Sequence, residues 1–230
     1  MTDTACCESS DLGHFLQAIR QFKDRFYDHQ PEMMHTLVEE GQHPKVLLIS
    51  CSDSRVDPAL LMGAQPGDLF VVRNVANLVP PYQRGGHYDS AGSAIEYAVR
   101  DLGVSHIIVM GHARCGGIKA LLNIESGEKV EREFIGNWVS IAHNACHIEI
   151  PDSQSASGKR KVSLEQLHAY PYLLERAAIL NTLQNLRGYP WVMAAMQQQK
   201  LKLHGWWFDL ESGDLWISDS DSTVFMPIAD

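Results

Sequence analysis

Three short apolar runs, rich in strand-forming residues and without a regular alternation of polar positions, most constrain the fold. They are residues 45–50 (KVLLIS), 68–73 (DLFVVR) and 106–111 (HIIVMG). Such runs are typical of strands that are buried on both faces of a parallel sheet. Between the second and third runs, residues 90–102 carry apolar side chains at helical spacing, and a crossover of this kind is right-handed. The sequence therefore predicts an α/β fold with a central, mostly parallel sheet flanked by helices.

The N-terminal part, residues 1–40, is predicted to be a helical arm. Four apolar residues recur there at i, i+4, i+7 and i+11, which places them on one face of a helix. They are Phe15, Ile19, Phe22 and Phe26. Pro31 interrupts the pattern, and a second short helix is expected after it. Because nothing in the arm indicates chemistry, we expect its apolar face to pack on a core or on another subunit.

The remaining residues, 41–230, are predicted to form a single α/β catalytic domain that binds zinc. Near its end, residues 202–209 and 215–219 flank a turn that contains Gly213. This pattern predicts a hairpin, so the sheet should carry an antiparallel edge strand. Residues 151–161 are rich in serine and in polar side chains, and they are expected to form an exposed loop.

The composition excludes several classes of protein. A chain of 230 residues with 45% hydrophobic and 20% charged residues is neither disordered nor a disulfide scaffold. The formal net charge of −9 argues against binding to the phosphate backbone of nucleic acids. No apolar run approaches the roughly 18 residues that span a bilayer, and no secretory signal is evident. We therefore expect a cytoplasmic protein with reduced cysteines, and no nucleic-acid or membrane partner.

Two short segments place reactive side chains directly after predicted strands. Residues 51–55 (CSDSR) follow the first apolar run, and residues 112–117 (HARCGG) follow the third. Ligands bind at the carboxyl ends of parallel strands, so both segments open onto one edge if these strands are neighbours. Cys51, His112 and Cys115 would then offer two thiolates and one imidazole, a set that suits Zn²⁺. Three protein ligands leave a fourth position open, which indicates catalysis rather than a structural site.

The neighbours of these ligands support a catalytic interpretation. Asp53 can accept a proton from metal-bound water or take the fourth position itself, and Arg55 is suited to hold that carboxylate in a bidentate pair. Cys115 begins a predicted helix, where the helix dipole favours a thiolate. Gly116 and Gly117 permit close approach of the backbone. Taken singly, each residue also has an ordinary explanation as a core cysteine or a surface ion pair.

A second group of metal-binding residue types falls on another predicted helix. His143, Cys146 and His147 lie at i, i+3 and i+4, a spacing that could bind a metal ion. A buried cysteine and two surface histidines explain the same pattern equally well.

Together, the motif C-S-D-S-R and, about sixty residues later, the motif G-H-x-x-C-G-G resemble the β-class carbonic anhydrases. The resemblance extends through residues 71–81 and 94–97, and more weakly through 203–215, so that it covers roughly residues 40–220. It implies a zinc enzyme that reversibly hydrates CO₂ to bicarbonate and a proton, with one Zn²⁺ per subunit. In such an enzyme, water activated by the zinc attacks CO₂.

The resemblance also implies roles for individual residues. Cys51, His112 and Cys115 would be the zinc ligands, and Asp53 with Arg55 would be the catalytic dyad. The residues implied to contact the substrate or to line its narrow apolar pocket are Gln42, Phe70, Val75, Tyr97 and Gly116. In the family, part of this pocket comes from the adjacent subunit, so the resemblance implies a homodimer or a dimer of dimers.

One subclass of the family binds bicarbonate at a second, inhibitory site that uses a tryptophan and an arginine. Here the tryptophan position holds Leu48, whereas Arg73 matches the arginine. The resemblance therefore favours the subclass that lacks this form of inhibition.

Two other functions stay open at this point. The same zinc site could hydrolyse CS₂ or COS, since some relatives of the fold do so and the ligand motifs would not differ. A zinc-dependent binding or redox-sensing protein without enzymatic activity is the other alternative, although the presence of Asp53 and Arg55 argues for catalysis.

Overall fold

The computed structural model describes residues 12–85, 89–129, 131–155, 157–219 and 222–228. The chain divides into two compact units, Met1–Gln42 and His43–Asp230. Within the described part of the first unit, helix α1 (Gly13–Lys23) continues into a wider π-helical turn (Asp24–Asp28). Helix α2 (Pro31–Glu39) follows and begins with its proline, which is favourable there because the first helical N–H needs no partner.

The predicted apolar face of the arm is present but largely uncovered. Phe26 is buried, whereas Phe15, Ile19 and Phe22 are exposed, with 63% of Ile19 accessible to solvent. Three large apolar side chains on one stripe of a surface helix indicate an interaction surface.

The second unit is built on a six-stranded sheet in the order β2-β1-β3-β6-β7-β8. The first four strands run parallel, and β7 and β8 are antiparallel to their neighbours. The predicted parallel sheet with an antiparallel edge is thus confirmed, with two antiparallel strands where one was predicted. The strands are β1 (Val46–Cys51), β2 (Leu69–Asn74), β3 (His106–His112), β6 (Lys202–Phe208), β7 (Leu215–Asp219) and β8 (Met226–Pro227).

Both faces of the central strands are buried, as their apolar sequences predict. On one face, Leu47 and Ile49 of β1 belong to the main core. On the other face, Leu48 packs with Ile108 and Met110 of β3. Because neither face of β1 meets solvent, the end of this strand is fixed in position.

Helices cover the sheet and carry the remaining core. The helix of the predicted crossover is α4 (Ser90–Arg100), and the longest helix, α8 (Pro171–Arg187), packs against β3 and β6. The others are α3 (Pro58–Met62), α5 (Gly116–Glu125), α6 (Ile135–Val139), α7 (Leu164–Ala169) and α9 (Pro190–Gln197), with short 3₁₀ helices at Val75–Asn77 and Ser140–Cys146. No helix within the described residues is long and apolar enough to cross a bilayer.

The prediction of a loop for residues 151–161 was wrong at both ends of that segment. Strand β4 (Glu149–Pro151) pairs with strand β5 (Lys159–Lys161) in a small antiparallel ladder. A backbone hydrogen bond from Asp152 N–H to the Gly158 carbonyl closes the connection, and Gly158 has a positive φ of 69°. Glycine adopts that conformation readily, so the glycine in this polar stretch signals a turn between two short strands.

Candidate metal centre

The topology brings the two reactive segments to one edge of the sheet. Strands β1 and β3 are parallel neighbours, with Ser50 opposite Met110, so Cys51 and His112 lie together at their carboxyl ends. Arg114 then adopts a left-handed conformation with φ of 59° and reverses the chain. This turn places Cys115 at the N-terminal cap of α5.

The potential ligand atoms of Cys51, His112 and Cys115 all lie within 4.8 Å of one another, and all three residues are buried. The two Sγ atoms are 3.9 Å apart. A tetrahedral zinc ion with Zn–S bonds of about 2.3 Å would hold two sulfur atoms about 3.8 Å apart. The spacing therefore fits a metal ion of this kind.

Only one of the two ring nitrogens of His112, Nε2, is available to bind a metal ion. Its Nδ1 donates to the backbone carbonyl of Ala113 over 2.8 Å, which leaves the lone pair on Nε2. That Nε2 atom is buried and has no hydrogen-bond partner among the described residues. A buried polar atom without a partner costs free energy, and a metal ion between Nε2 and the two sulfurs would satisfy it.

A hydrogen bond joins the two thiols of the site. The pKa of Cys51 is lowered, chiefly by the hydrogen bond from Cys115, and the pKa of Cys115 is raised by that same bond and by burial. Binding of a metal ion would displace thiol protons, since cysteine binds metals as thiolate.

The carboxylate of Asp53 faces this group of atoms and is held by Arg55. The Arg55 guanidinium donates two hydrogen bonds to Asp53, from Nε over 2.9 Å and from Nη2 over 2.7 Å. These bonds are the main reason why the pKa of Asp53 lies below its usual range. Asp53 Oδ2 lies 3.9 Å from His112 Nε2. An ionised acceptor is therefore positioned beside the candidate metal position.

Arg73 holds the loop that carries this carboxylate, a role that the sequence analysis did not identify. It donates to the carbonyls of Cys51 over 3.1 Å and of Asp53 over 2.7 Å, and to Asp57 Oδ2 over 2.8 Å. All three nitrogen atoms of the guanidinium thus donate hydrogen bonds to the same loop. This guanidinium fixes the backbone on both sides of Ser52.

The sequence analysis also missed Glu175, a buried carboxylate behind the second cysteine. It accepts hydrogen bonds from the Cys115 backbone N–H over 3.3 Å and from Trp207 Nε1 over 3.1 Å. Burial raises the pKa of Glu175. Its only sequence signal is a charged residue within the apolar stripe of α8, next to Leu174.

Strained backbone surrounds the same edge of the sheet. Ala76 and Asn77 have positive φ angles of 66° and 49°, although neither is glycine, and both are buried. Such conformations cost about 1–3 kcal/mol each and cluster at functional sites. A side chain on Gly117 would meet Val75 Cγ1 at 2.7 Å, so the close approach foreseen for the two glycines applies to Gly117.

The comparisons with known proteins bear on this site directly. The sequence profile of a family described as carbonic anhydrase matches residues 46–215. Beta carbonic anhydrase 5, a chloroplastic protein of Arabidopsis thaliana, is 42% identical over 170 residues, which cover 74% of this chain and 52% of that protein. The chain belongs to the β-class carbonic anhydrase family. It spans about half the length of this Arabidopsis relative.

Solved structures of other β-class carbonic anhydrases share the fold. The β-carbonic anhydrase CcaA is 28% identical and superposes with a TM-score of 0.75 over 94% of this chain and 92% of that chain. One of two tetrameric β-carbonic anhydrases of the ascomycete Sordaria macrospora is 27% identical, with a TM-score of 0.69 over 94% of this chain and 98% of that one.

The residues predicted to contact substrate are not all brought to the candidate ligands Cys51, His112 and Cys115 within this β-class chain. Val75 and Gly116 lie beside them, at the turn after β2 and at the start of α5. Phe70 contacts Tyr97, with ring centroids 5.8 Å apart. In the sheet, Phe70 of β2 lies opposite Leu47 of β1. Leu47 is four residues, or about 13 Å, before Cys51 along the strand, so Phe70 is distant from the candidate ligands.

Gln42 is the last residue of the first unit, whereas the ligands belong to the second. Its role toward the substrate stays a prediction, as do those of Phe70 and Tyr97.

Proposed function

We propose that this chain is a zinc-dependent carbonic anhydrase that interconverts CO₂ and bicarbonate, with Zn²⁺ held by Cys51, His112 and Cys115. One observation carries the proposal. Two buried sulfurs and an unpartnered imidazole nitrogen converge beside a carboxylate that Arg55 holds in place, in a chain of this family.

A bound Zn²⁺ would act as a Lewis acid that lowers the pKa of water from about 15.7 to near 7, so that a nucleophile exists at neutral pH. Asp53 contributes an oxygen that accepts the hydrogen bond of that nucleophile and orients it. Arg55 keeps the carboxylate ionised and turned toward the site, because both of its bonds would be lost if the carboxylate rotated.

Glu175 and Arg73 act on the backbone rather than on the substrate. Glu175 holds the Cys115 N–H, and Arg73 holds the carbonyls on either side of Ser52. Both ligand loops are therefore positioned by the polar side chains of Glu175 and Arg73, in keeping with the need of catalytic sites for rigid support.

We also propose that the chain works as a homodimer or a dimer of dimers, in which Gln42, Phe70 and Tyr97 complete a substrate pocket across the interface. Phe70 lies about 13 Å along the sheet from the ligands of its own chain, and Tyr97 contacts it, which suits a contribution of this pair to a neighbouring copy. The exposed apolar face of α1 offers a further surface for self-association, and the related Sordaria macrospora enzymes are described as tetrameric.

Charges on the apolar face of α1 should weaken this assembly. We expect the double variant Phe15→Glu, Ile19→Glu to have a smaller molar mass by light scattering than the unaltered chain, because burial of each such side chain contributes about 1.5–3 kcal/mol. Gln17→Glu is the matched control, since it adds a charge to the same helix away from the apolar stripe. An unchanged molar mass in the double variant would exclude α1 from the interface.

A stopped-flow assay of CO₂ hydration on the purified chain tests the proposed function. We expect hydration far above the uncatalysed rate, with about one zinc per chain at the centre formed by Cys51, His112 and Cys115, and loss of activity when a chelator removes that metal. Parallel assays with CS₂ and COS distinguish the alternative hydrolase. Activity toward CS₂ or COS without CO₂ hydration, or a zinc-loaded chain inactive on all three, would contradict the proposal.

We keep the cytoplasm as the proposed location. The cysteines in the described part of the chain, Cys51, Cys115 and Cys146, are free thiols, in keeping with a reducing compartment. One relative is named as chloroplastic, so localisation in cells is the measurement that decides this point.

A further inference from the structure

Two exposed histidines meet at the far end of α5 from the candidate metal centre. His143 lies in the middle of the 3₁₀ helix Ser140–Cys146 and His147 directly after it, and their Nε2 atoms are 3.3 Å apart. Helix α5 begins next to Cys115 and ends at Glu125, which contacts His143. Ten residues of helix are about 15 Å long, so this pair is separate from the first site.

The separation of the two nitrogens matches that of two ligands on one ion. Zn–N bonds of about 2.0–2.1 Å in a tetrahedral site place two nitrogen atoms about 3.3 Å apart. The imidazole of His143 is half exposed, and His147 is exposed as well. Water can therefore complete the coordination of an ion bound to both rings.

Glu125 sets the tautomer of His143 in the way that metal sites require. Its Oε1 lies 2.7 Å from His143 Nδ1. Because a carboxylate only accepts hydrogen bonds, Nδ1 carries the proton in neutral His143, and the lone pair is on Nε2, the atom that lies 3.3 Å from His147 Nε2. A carboxylate that holds the non-ligating nitrogen of a histidine is a recurrent partner of metal ions.

Cys146, the third member of the sequence pattern, does not take part. It is buried in the core among apolar residues such as Leu121 and Val139. Burial raises the pKa of the Cys146 thiol to about 12, so it stays protonated. Of the three residues in the predicted pattern, Cys146 therefore belongs to the core, and only His143 and His147 lie on the surface.

We propose that His143 and His147 bind a second divalent metal ion per chain, of the zinc type, with Glu125 as the positioning residue behind His143. The ion would take the place of the hydrogen bond that otherwise joins the two Nε2 atoms. It would link the two histidines of the 3₁₀ turn to each other and, through the contact of His143 with Glu125, to the end of α5.

Equilibrium dialysis of the zinc-loaded chain against a slight excess of Zn²⁺, followed by elemental analysis, tests the proposal. We expect two zinc ions per chain in the unaltered protein and one in His143→Ala or His147→Ala. Both side chains are exposed, so these variants should fold normally. Glu125→Gln should retain the site but with an affinity about 10–100-fold lower, the usual effect of losing an outer-shell partner.

His168→Ala is the matched control. His168 is also exposed and also contacts the end of α5, through Ser126 over 2.9 Å, but it is outside the pair; its variant should bind two zinc ions. Cys115→Ser should lose the first ion and keep the second, which separates this proposal from that of the catalytic centre. One zinc ion in the unaltered chain, or a second ion that persists in both His143→Ala and His147→Ala, would overturn it.

Discussion

Replacement of Cys115 by serine should leave the candidate metal centre without a tightly bound ion. A serine hydroxyl is not ionised at neutral pH, so the site would keep one thiolate and one imidazole. Loss of an outer-shell partner alone costs about 10–100-fold in metal affinity, and loss of a direct ligand should cost more than about 100-fold. Elemental analysis after dialysis against metal-free buffer, which removes weakly held ions, measures the effect.

Cys146→Ser is the control for this variant. Both cysteines are buried, and both substitutions place a hydroxyl in an apolar environment at a cost of about 1–3 kcal/mol. Only Cys115 lies with Cys51 and His112, so only its variant should lose the metal and, with it, CO₂ hydration. If Cys115→Ser kept a full complement of metal, Cys115 would not be a ligand and the proposed function would lose its basis.

Replacement of Asp53 by asparagine should abolish most of the catalysis and spare the metal. The two side chains have the same shape, but the amide is neutral and cannot accept a proton. General acid–base groups contribute about 10²–10⁴-fold to rates, and we expect a fall in CO₂ hydration within that range. The candidate metal centre should keep its ion, because Asp53 is outside the group formed by Cys51, His112 and Cys115.

Arg55→Ala separates the positioning of this carboxylate from its chemistry. In the unaltered chain Arg55 lowers the pKa of Asp53, so the carboxylate stays ionised well into the acidic range. Without Arg55 the pKa of Asp53 should rise and its carboxylate should lose its fixed orientation, so CO₂ hydration should fall severely while the metal is retained. Stopped-flow rates together with elemental analysis measure the two effects separately.

Glu96→Gln provides the comparison for both variants. Glu96 forms an equally short ion pair with Arg100, 2.7 Å long, on the surface of α4. Removal of one exposed ion pair changes stability by less than about 1 kcal/mol and should leave hydration intact. Retention of the unaltered rate in Asp53→Asn would remove this residue from the mechanism.

The convergence of Cys51, His112 and Cys115 could be predicted from the sequence because the position of each residue depends on local information. An apolar run predicts a strand, and the residue after the run lies at the end of that strand independently of distant parts of the chain. Cys51 and His112 needed only the further condition that β1 and β3 be neighbours, which the register confirms. Cys115 followed from the start of a helix.

The supporting residues could not be predicted because their partners are distant in sequence. Glu175 meets a backbone N–H sixty residues away, and Arg73 meets a loop about twenty residues before it. Neither contact leaves a periodic pattern. The strained turn at Ala76 also leaves no signal in the sequence, since alanine adopts a positive φ only when the surrounding packing enforces it.

The short elements were missed for a different reason. Helix α7 has only six residues, and its main signal is the capping box formed by Ser163 and Gln166, which lies at the edge of a polar stretch. Helices of this length gain little from propensity and depend on tertiary packing. The hairpin of β4 and β5 is similar, because three-residue strands have too few positions to display an alternation.

The left-handed residues Ala76 and Asn77 have a consequence for heat inactivation. Their conformation is unfavourable by itself and persists because the core around them leaves no alternative. When warming loosens that core, relaxation of this turn becomes favourable, and the turn lies directly against Gly117 at the start of α5. The reaction centre would then lose its alignment at temperatures where the sheet beneath it is still intact.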